Sequence, residues 1–266
     1  MREIIAFIRR DALVAASYRV GVMMSLVSLV ALTVPVYFIA EAIQPLVGDA
    51  IASEGGQYFA FVIAGLATFQ IVNAAVAAIP TALATGLRTG TFEALLTTPA
   101  RLPALLAGML GYPLLWSMAR AIVLLTVAAA LGAPFAPAGV ALAPLIWLAI
   151  ALAYVPFGLL ASAFLVLTRT AGPIPAGVLT VSMFLGGVYY PTNVIPSWLQ
   201  SVCDVVPLTY GLRALRRTMA GEALSIEVGA DLAILGVLAC VLLLGSMLVL
   251  EAALRHARRS GNLAQY

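Results

Sequence analysis

Six apolar stretches, at residues 20–40, 59–81, 105–131, 140–167, 174–189 and 230–250, limit what this chain can fold into more than any motif does. The hydrocarbon core of a bilayer is about 30 Å thick and takes roughly 20 helical residues to cross. The stretch at 174–189 falls short of that length, and the other five reach it. Composition agrees, since 63% hydrophobic and 9% charged residues cannot cover a water-facing surface. The fold class expected is all-α integral membrane, one transmembrane domain over residues 1–266 with six membrane helices. The longest polar stretch is too short to bury a separate soluble core.

Several functions are excluded by residues that are missing. There is no lysine anywhere, so the phosphate-binding loop GxxxxGK[ST] cannot be built and the chain carries no such ATP site. His256 is the single histidine, and Cys203 and Cys240 are the only cysteines. An intramembrane zinc site or a Ser/His or Cys/His catalytic pair is therefore not expected, and both cysteines read as packing residues. No catalytic, cofactor-binding or metal-binding residue is assigned. The net charge of +3 comes from arginines scattered at helix ends rather than from a patch suited to nucleic acid.

Those arginines orient the chain. With the N-terminus inside, Arg2, Arg9, Arg10, Arg19, Arg88, Arg101, Arg169, Arg255, Arg258 and Arg259 face the cytoplasm, and so does the C-terminus. Glu41, Asp49 and Glu54 then sit in an outer loop free of basic residues. Arg213, Arg216 and Arg217, in the run LRALRR, oppose the rule, because one membrane segment separates them from the basic tail. Residues 1–18 carry Ile4, Ile5, Ile8, Ala12 and Ala15 on one helical arc and Arg2, Glu3, Arg9 and Arg10 opposite. That pattern suits a helix lying in the inner interface; the alternative is the frayed start of the first membrane helix.

Residues 184–217 break the pattern of simple spanning helices. Pro191, Pro196 and Pro207 fall between two apolar, helical-looking pieces. In hydrocarbon every backbone polar group needs an internal partner, so irregular backbone survives only where protein or a water-filled cavity lines it. Tyr189, Tyr190, Trp198 and Tyr210 suit an interface, where an aromatic ring keeps its body in lipid and its polar tip in water. A re-entrant hairpin over 190–217, at the non-cytoplasmic mouth, is the expectation. A second punctuated stretch lies at 82–103, where Thr91 is placed to cap a short helix running to Thr98. Glu93 sits near the positive end of that helix dipole, and Pro99 stops it.

Both stretches resemble the membrane subunits of type-2 ABC exporters, which move drugs, lipids or polysaccharides. In the first, Gly186, Gly187, Tyr189, Tyr190 and Pro191 are followed by Pro196, Trp198 and Leu199, then by Pro207, Leu208, Thr209 and Tyr210. In the second, Gly90, Thr91, Glu93, Leu95, Thr98 and Pro99 stand in the order of the family's coupling element. The resemblance implies that residues 86–99 form a cytoplasmic coupling helix docking on a separate ATP-binding cassette ATPase, which would hold ATP and Mg. It also implies that the hairpin, with Tyr189, Tyr190, Pro191, Pro196, Trp198, Pro207 and Tyr210, is the outer gate. A second copy of the chain, or a related permease, would complete the pathway in a bacterial or archaeal plasma membrane, surrounded by its lipids.

Arg120 lies well inside the third apolar stretch, where a charge is costly and normally faces protein or water. It is read either as architectural, as a ligand for an anionic substrate group, or as snorkelling toward an inner vestibule. Gly65 and Thr68, Ser182 and Gly186, and Gly236 and Cys240 are candidate helix-contact pairs of small residues. An ion-coupled transporter is disfavoured because Asp and Glu lie at loops and segment ends. An aromatic-trimmed path with few charges suits an amphipathic drug or lipid; a cell-envelope polysaccharide is the alternative cargo.

Overall fold

The computed structural model describes residues 2–90, 102–168, 172–222 and 225–259, and among them every regular element is helical. Helix α1 (Arg2–Ser17) is followed by α2 (Arg19–Val47), a 3-10 turn (Asp49–Glu54) and α3 (Tyr58–Arg88). Then come α4 (Leu102–Ala130), α5 (Pro137–Thr168) and α6 (Ile174–Leu185). A second 3-10 turn (Thr192–Val194) precedes α7 (Ser197–Cys203), α8 (Pro207–Met219) and α9 (Ile226–Arg259). Helices α2, α3, α4, α5 and α9 are each long and apolar enough to cross a membrane.

The short apolar stretch ends earlier than its sequence suggests. Residues 174–189 were expected to be helical throughout, whereas α6 stops at Leu185 after 12 residues, about 18 Å of rise. Gly187 is the cause: its φ of +77° belongs to the left-handed region, which a residue without Cβ enters freely and which ends a helix. Tyr18, with φ −100° and ψ 53°, breaks the chain between α1 and α2, so α1 is a helix in its own right. The arc drawn from the sequence is only partly its packing face. Phe7 and Ile8 lie against Gly108 and Gly111 of α4, whereas Ile5 and Ala12 are exposed.

At the centre stand α3 and α5, largely buried, with α4 against α3 and α9 against α5. One buried hydrogen bond fixes the register of α5 on α3, and another joins α5 to α6. Trp147 on α5 donates its indole N–H to Thr68 Oγ1 of α3 at 3.1 Å, and Tyr154 on α5 donates its hydroxyl to Ser182 Oγ of α6 at 2.8 Å. Two of the small residues singled out above thus serve as acceptors for buried aromatic donors, which would otherwise forfeit their hydrogen bonds. The third pair behaves differently: Gly236 has open space around it, and Cys240 on α9 is exposed. Cys240 is therefore not a core packing residue, because its face of α9 points away from the bundle. The outward faces of α2 and α9 carry Leu32, Phe38, Val237, Val241, Leu244 and Leu248, all exposed, as helices require when their outer surroundings are apolar.

Candidate functional site: the broken hairpin, its arginine clasp and a polar cleft

Between Leu185 and Met219 the chain is broken into a 3-10 turn and two short helices, and each proline has a local task. Pro191 (φ −69°, ψ 141°) and Pro196 (φ −52°, ψ 142°) hold extended backbone on either side of the 3-10 turn. Pro207 occupies the first turn of α8, where a missing N–H costs nothing. The next two polar residues explain the Pro-Leu-Thr-Tyr step. Thr209 donates its hydroxyl to Cys203 O at 2.8 Å and Tyr210 donates to Asp204 O at 2.9 Å, so α8 satisfies carbonyls left open at the end of α7. Gln200 donates to Ile195 O at 2.7 Å, closing the same loop.

Of the expected gate residues, Pro191 and Pro207 are buried and Tyr189, Tyr190 and Tyr210 are half-buried. Trp198 is 72% exposed, on the outer side of α7 rather than in the packed interior. Cys203 is buried, and burial first, with the neighbouring Asp204 charge second, pushes its thiol above the usual cysteine range. It therefore stays protonated, as a packing residue should.

The hairpin is fastened to the rest of the bundle by Arg216, 4% exposed on α8. Its Nη1 donates to Glu54 Oε2 at 3.0 Å. Its Nη2 donates to Phe61 O at 3.1 Å and Gly187 O at 2.8 Å, with Val188 O at 3.3 Å. The guanidinium also lies over the Phe61 ring, 3.3 Å from its centroid. One side chain thus joins α8, the loop after α2, the start of α3 and the turn after α6. That turn sits directly on α3 because residue 65 is glycine: a Cβ there would stand 2.5 Å from Val188 O. Tyr58 adds a hydroxyl bond to Tyr189 O at 2.9 Å, and Asn193 reaches Ala50 O at 3.1 Å.

The pairing extends to the whole LRALRR run. Each arginine of the run has a carboxylate: Arg216 has Glu54, Arg213 has Asp231 at 3.5 Å, and Arg217 has Glu227. Glu227 and Asp231 are one helical turn apart at the start of α9, opposite an arginine pair four residues apart on α8. That matched spacing was the available signal for two of the pairs. Glu54 lies 162 residues from Arg216 in sequence and gave none.

Arg120, on α4, lines a cleft of about 600 Å³ between α1, α3 and α4, with Gln70, Asn73, Trp116 and Ser117 among its walls. Gln70 and Asn73 were not singled out from sequence; a polar pair in the middle of an otherwise apolar run was the signal. At the far end of α3, Gly90 takes φ +68° and turns the chain out of the helix. Thr91, Glu93, Leu95, Thr98 and Pro99, expected to form the coupling element, lie outside the described residues. Among the described residues no group of three metal-ligating side chains occurs.

A chain whose described residues are all-helical, with several apolar helices of membrane length, is a multi-pass membrane protein, and this one carries a run of short helices beside its central pair. It belongs to the ABC-2 type transporter family, whose model matches residues 1–220, from α1 through the end of α8. It is thus a transmembrane permease subunit of an ABC transporter, of a family that normally works with an ATPase subunit. Helix α9 lies beyond the matched residues. The comparison with curated proteins finds no match.

Proposed function

We propose that this chain forms half of the pathway of an ATP-driven exporter, the other half being a second copy or a related permease. ATP, with Mg, is hydrolysed on a separate cassette ATPase, and the chain itself performs no catalysis. The observation that carries this reading is α3. Its 31 residues span about 45 Å. One end accepts the Arg216 hydrogen bond at Phe61 and seats the hairpin turn at Gly65; the other leads through Gly90 into the coupling motif.

A ligand drives a conformational change only by binding two states differently. ATP does so on the partner, which closes around it and moves residues 90–99. Because α3 is continuous and bolted to the hairpin, that movement reaches Tyr189, Tyr190 and Pro191 at the outer gate. The termini face the cytoplasm of a bacterial or archaeal plasma membrane and the hairpin faces outward. The cargo is an amphipathic drug or lipid.

The test is coupled activity in vesicles containing the chain with its ATPase. Glu93→Ala or Leu95→Asp is expected to abolish substrate-stimulated ATP hydrolysis while the complex stays assembled. Pro191→Ala and Tyr190→Ala are expected to keep assembly and hydrolysis but reduce export. Unchanged coupled export in all four assembled variants overturns the reading. Cysteines placed at Ser197 and Ser260 check orientation, with only the first reacting with an impermeant thiol reagent from outside the cell.

A further inference from the structure

Among the described residues the arginines follow one pattern with one departure. Arg213, Arg216 and Arg217 each have a carboxylate, and so does Arg10, whose Nε lies 2.9 Å from Asp11 Oδ1. Arg9, Arg19, Arg88 and Arg255 are exposed. Among the described residues, Arg120 is the only arginine that is partly buried and has no carboxylate within ion-pair distance. Its Nε is buried without a hydrogen-bond partner, and so is Oε1 of Gln70, which lines the same cleft. Two residues that line one cleft thus each keep a buried polar atom unpaired, one a donor and one an acceptor, which is costly in a folded protein unless something meets them.

The cleft also has an apolar arm. Along α3 it runs from Gln70 to Gly86, about 24 Å of helix rise, which exceeds half the hydrocarbon thickness of a bilayer. Alanines dominate that face of α3, leaving room beneath Trp116 and Met109 of α4. Asp11, at the α1 end, is neutralised by Arg10, so the net positive charge of the cleft belongs to Arg120.

We propose that this cleft binds a single-chain amphiphile with a phosphate monoester head. The head oxygens accept from Arg120 and from the Asn73 amide, the remaining P–OH of the monoanion donates to Gln70 Oε1, and the tail lies along Trp116 and Met109. A guanidinium offers donors in a fixed fork that matches the oxygens of such a head. As a statement of cargo class it rests on the transport reading above; as a binding site it stands without it.

The probe is a dodecyl phosphate bearing a terminal bromine, which quenches tryptophan fluorescence on contact. It is added to the full chain in zwitterionic vesicles, with Trp198→Phe removing the exposed indole. Saturable quenching is expected, weakened about tenfold or more by Arg120→Gln, as loss of a charge-assisted hydrogen bond requires, and largely retained by Arg120→Lys. The brominated dodecyl maltoside, which is neutral, is expected to respond equally in all three proteins. Equal quenching by the phosphate probe in wild type and Arg120→Gln overturns the site. Loss of binding in Arg120→Lys as well as in Arg120→Gln overturns the charge pairing in favour of an architectural arginine. Displacement of the probe by inorganic phosphate at equal concentration overturns the amphiphile and makes this a free-anion site. No ATPase is needed for these measurements, so intact binding without coupled export counts against the transport reading alone.

Discussion

Arg216 and Arg120 are both arginines within the helical bundle of a strongly apolar chain, yet their surroundings differ in kind. Around Arg216 the protein supplies a carboxylate, three carbonyls and a ring face, drawn from four separate segments. Around Arg120 it supplies a cleft, with an unpaired amide oxygen on the opposite wall. A buried charge whose partners are all internal holds the fold together, and removing it leaves those partners unmet. A charge whose partners are missing from the fold lowers stability and is retained for what it binds. The hairpin side of the molecule is thus built to be held and the cleft side to be filled.

The largest expected effect breaks the first half of that contrast. Arg216→Ala strands Glu54 and three carbonyls and is expected to cost about 3–5 kcal/mol, the scale for breaking a buried pair. Thermal unfolding in detergent should show a fall well beyond that of Glu54→Gln; a change of less than about 1 kcal/mol would show that the clasp is not structural. Next comes Gly65→Ala, which forces a methyl group against Val188 O and is expected to cost about 1–3 kcal/mol by overpacking. Release of the turn should also be visible as faster cleavage or labelling near Tyr189. Tyr210→Phe removes one hydroxyl from Asp204 O, an expected loss of about 1 kcal/mol in the same unfolding assay. Glu227→Gln tests the exposed member of the arginine run. With Glu227 67% exposed, its pair with Arg217 is expected to contribute no more than about 1 kcal/mol, and to vanish in high salt. At the small end, Arg120→Gln is expected to leave the unfolding midpoint unchanged or higher, since it removes an unpaired charge. A drop comparable to that of Arg216→Ala would erase the distinction between the two arginines.

How far each feature could be read in advance depended on how local its cause is. Breaks in helices were legible because proline and glycine act on their own backbone. The prolines at 191, 196 and 207 and the glycines at 186 and 187 marked the hairpin, and only the four residues beyond Leu185 were misassigned to the preceding helix. Register between helices was less legible. Thr68 and Ser182 drew notice as small residues, but their use as acceptors for Trp147 and Tyr154 depends on how α3, α5 and α6 rotate against one another.

By itself the sequence determined the solvent this chain lives in, the number and order of its apolar segments and the family to which it belongs, because hydropathy and punctuation are written residue by residue. Tertiary structure alone decided which charges are neutral. Glu54 meets Arg216 across 162 residues, and among the described residues Arg120 meets no carboxylate. Charge pairing depends on distances of a few ångströms, and those exist only after the helices have packed.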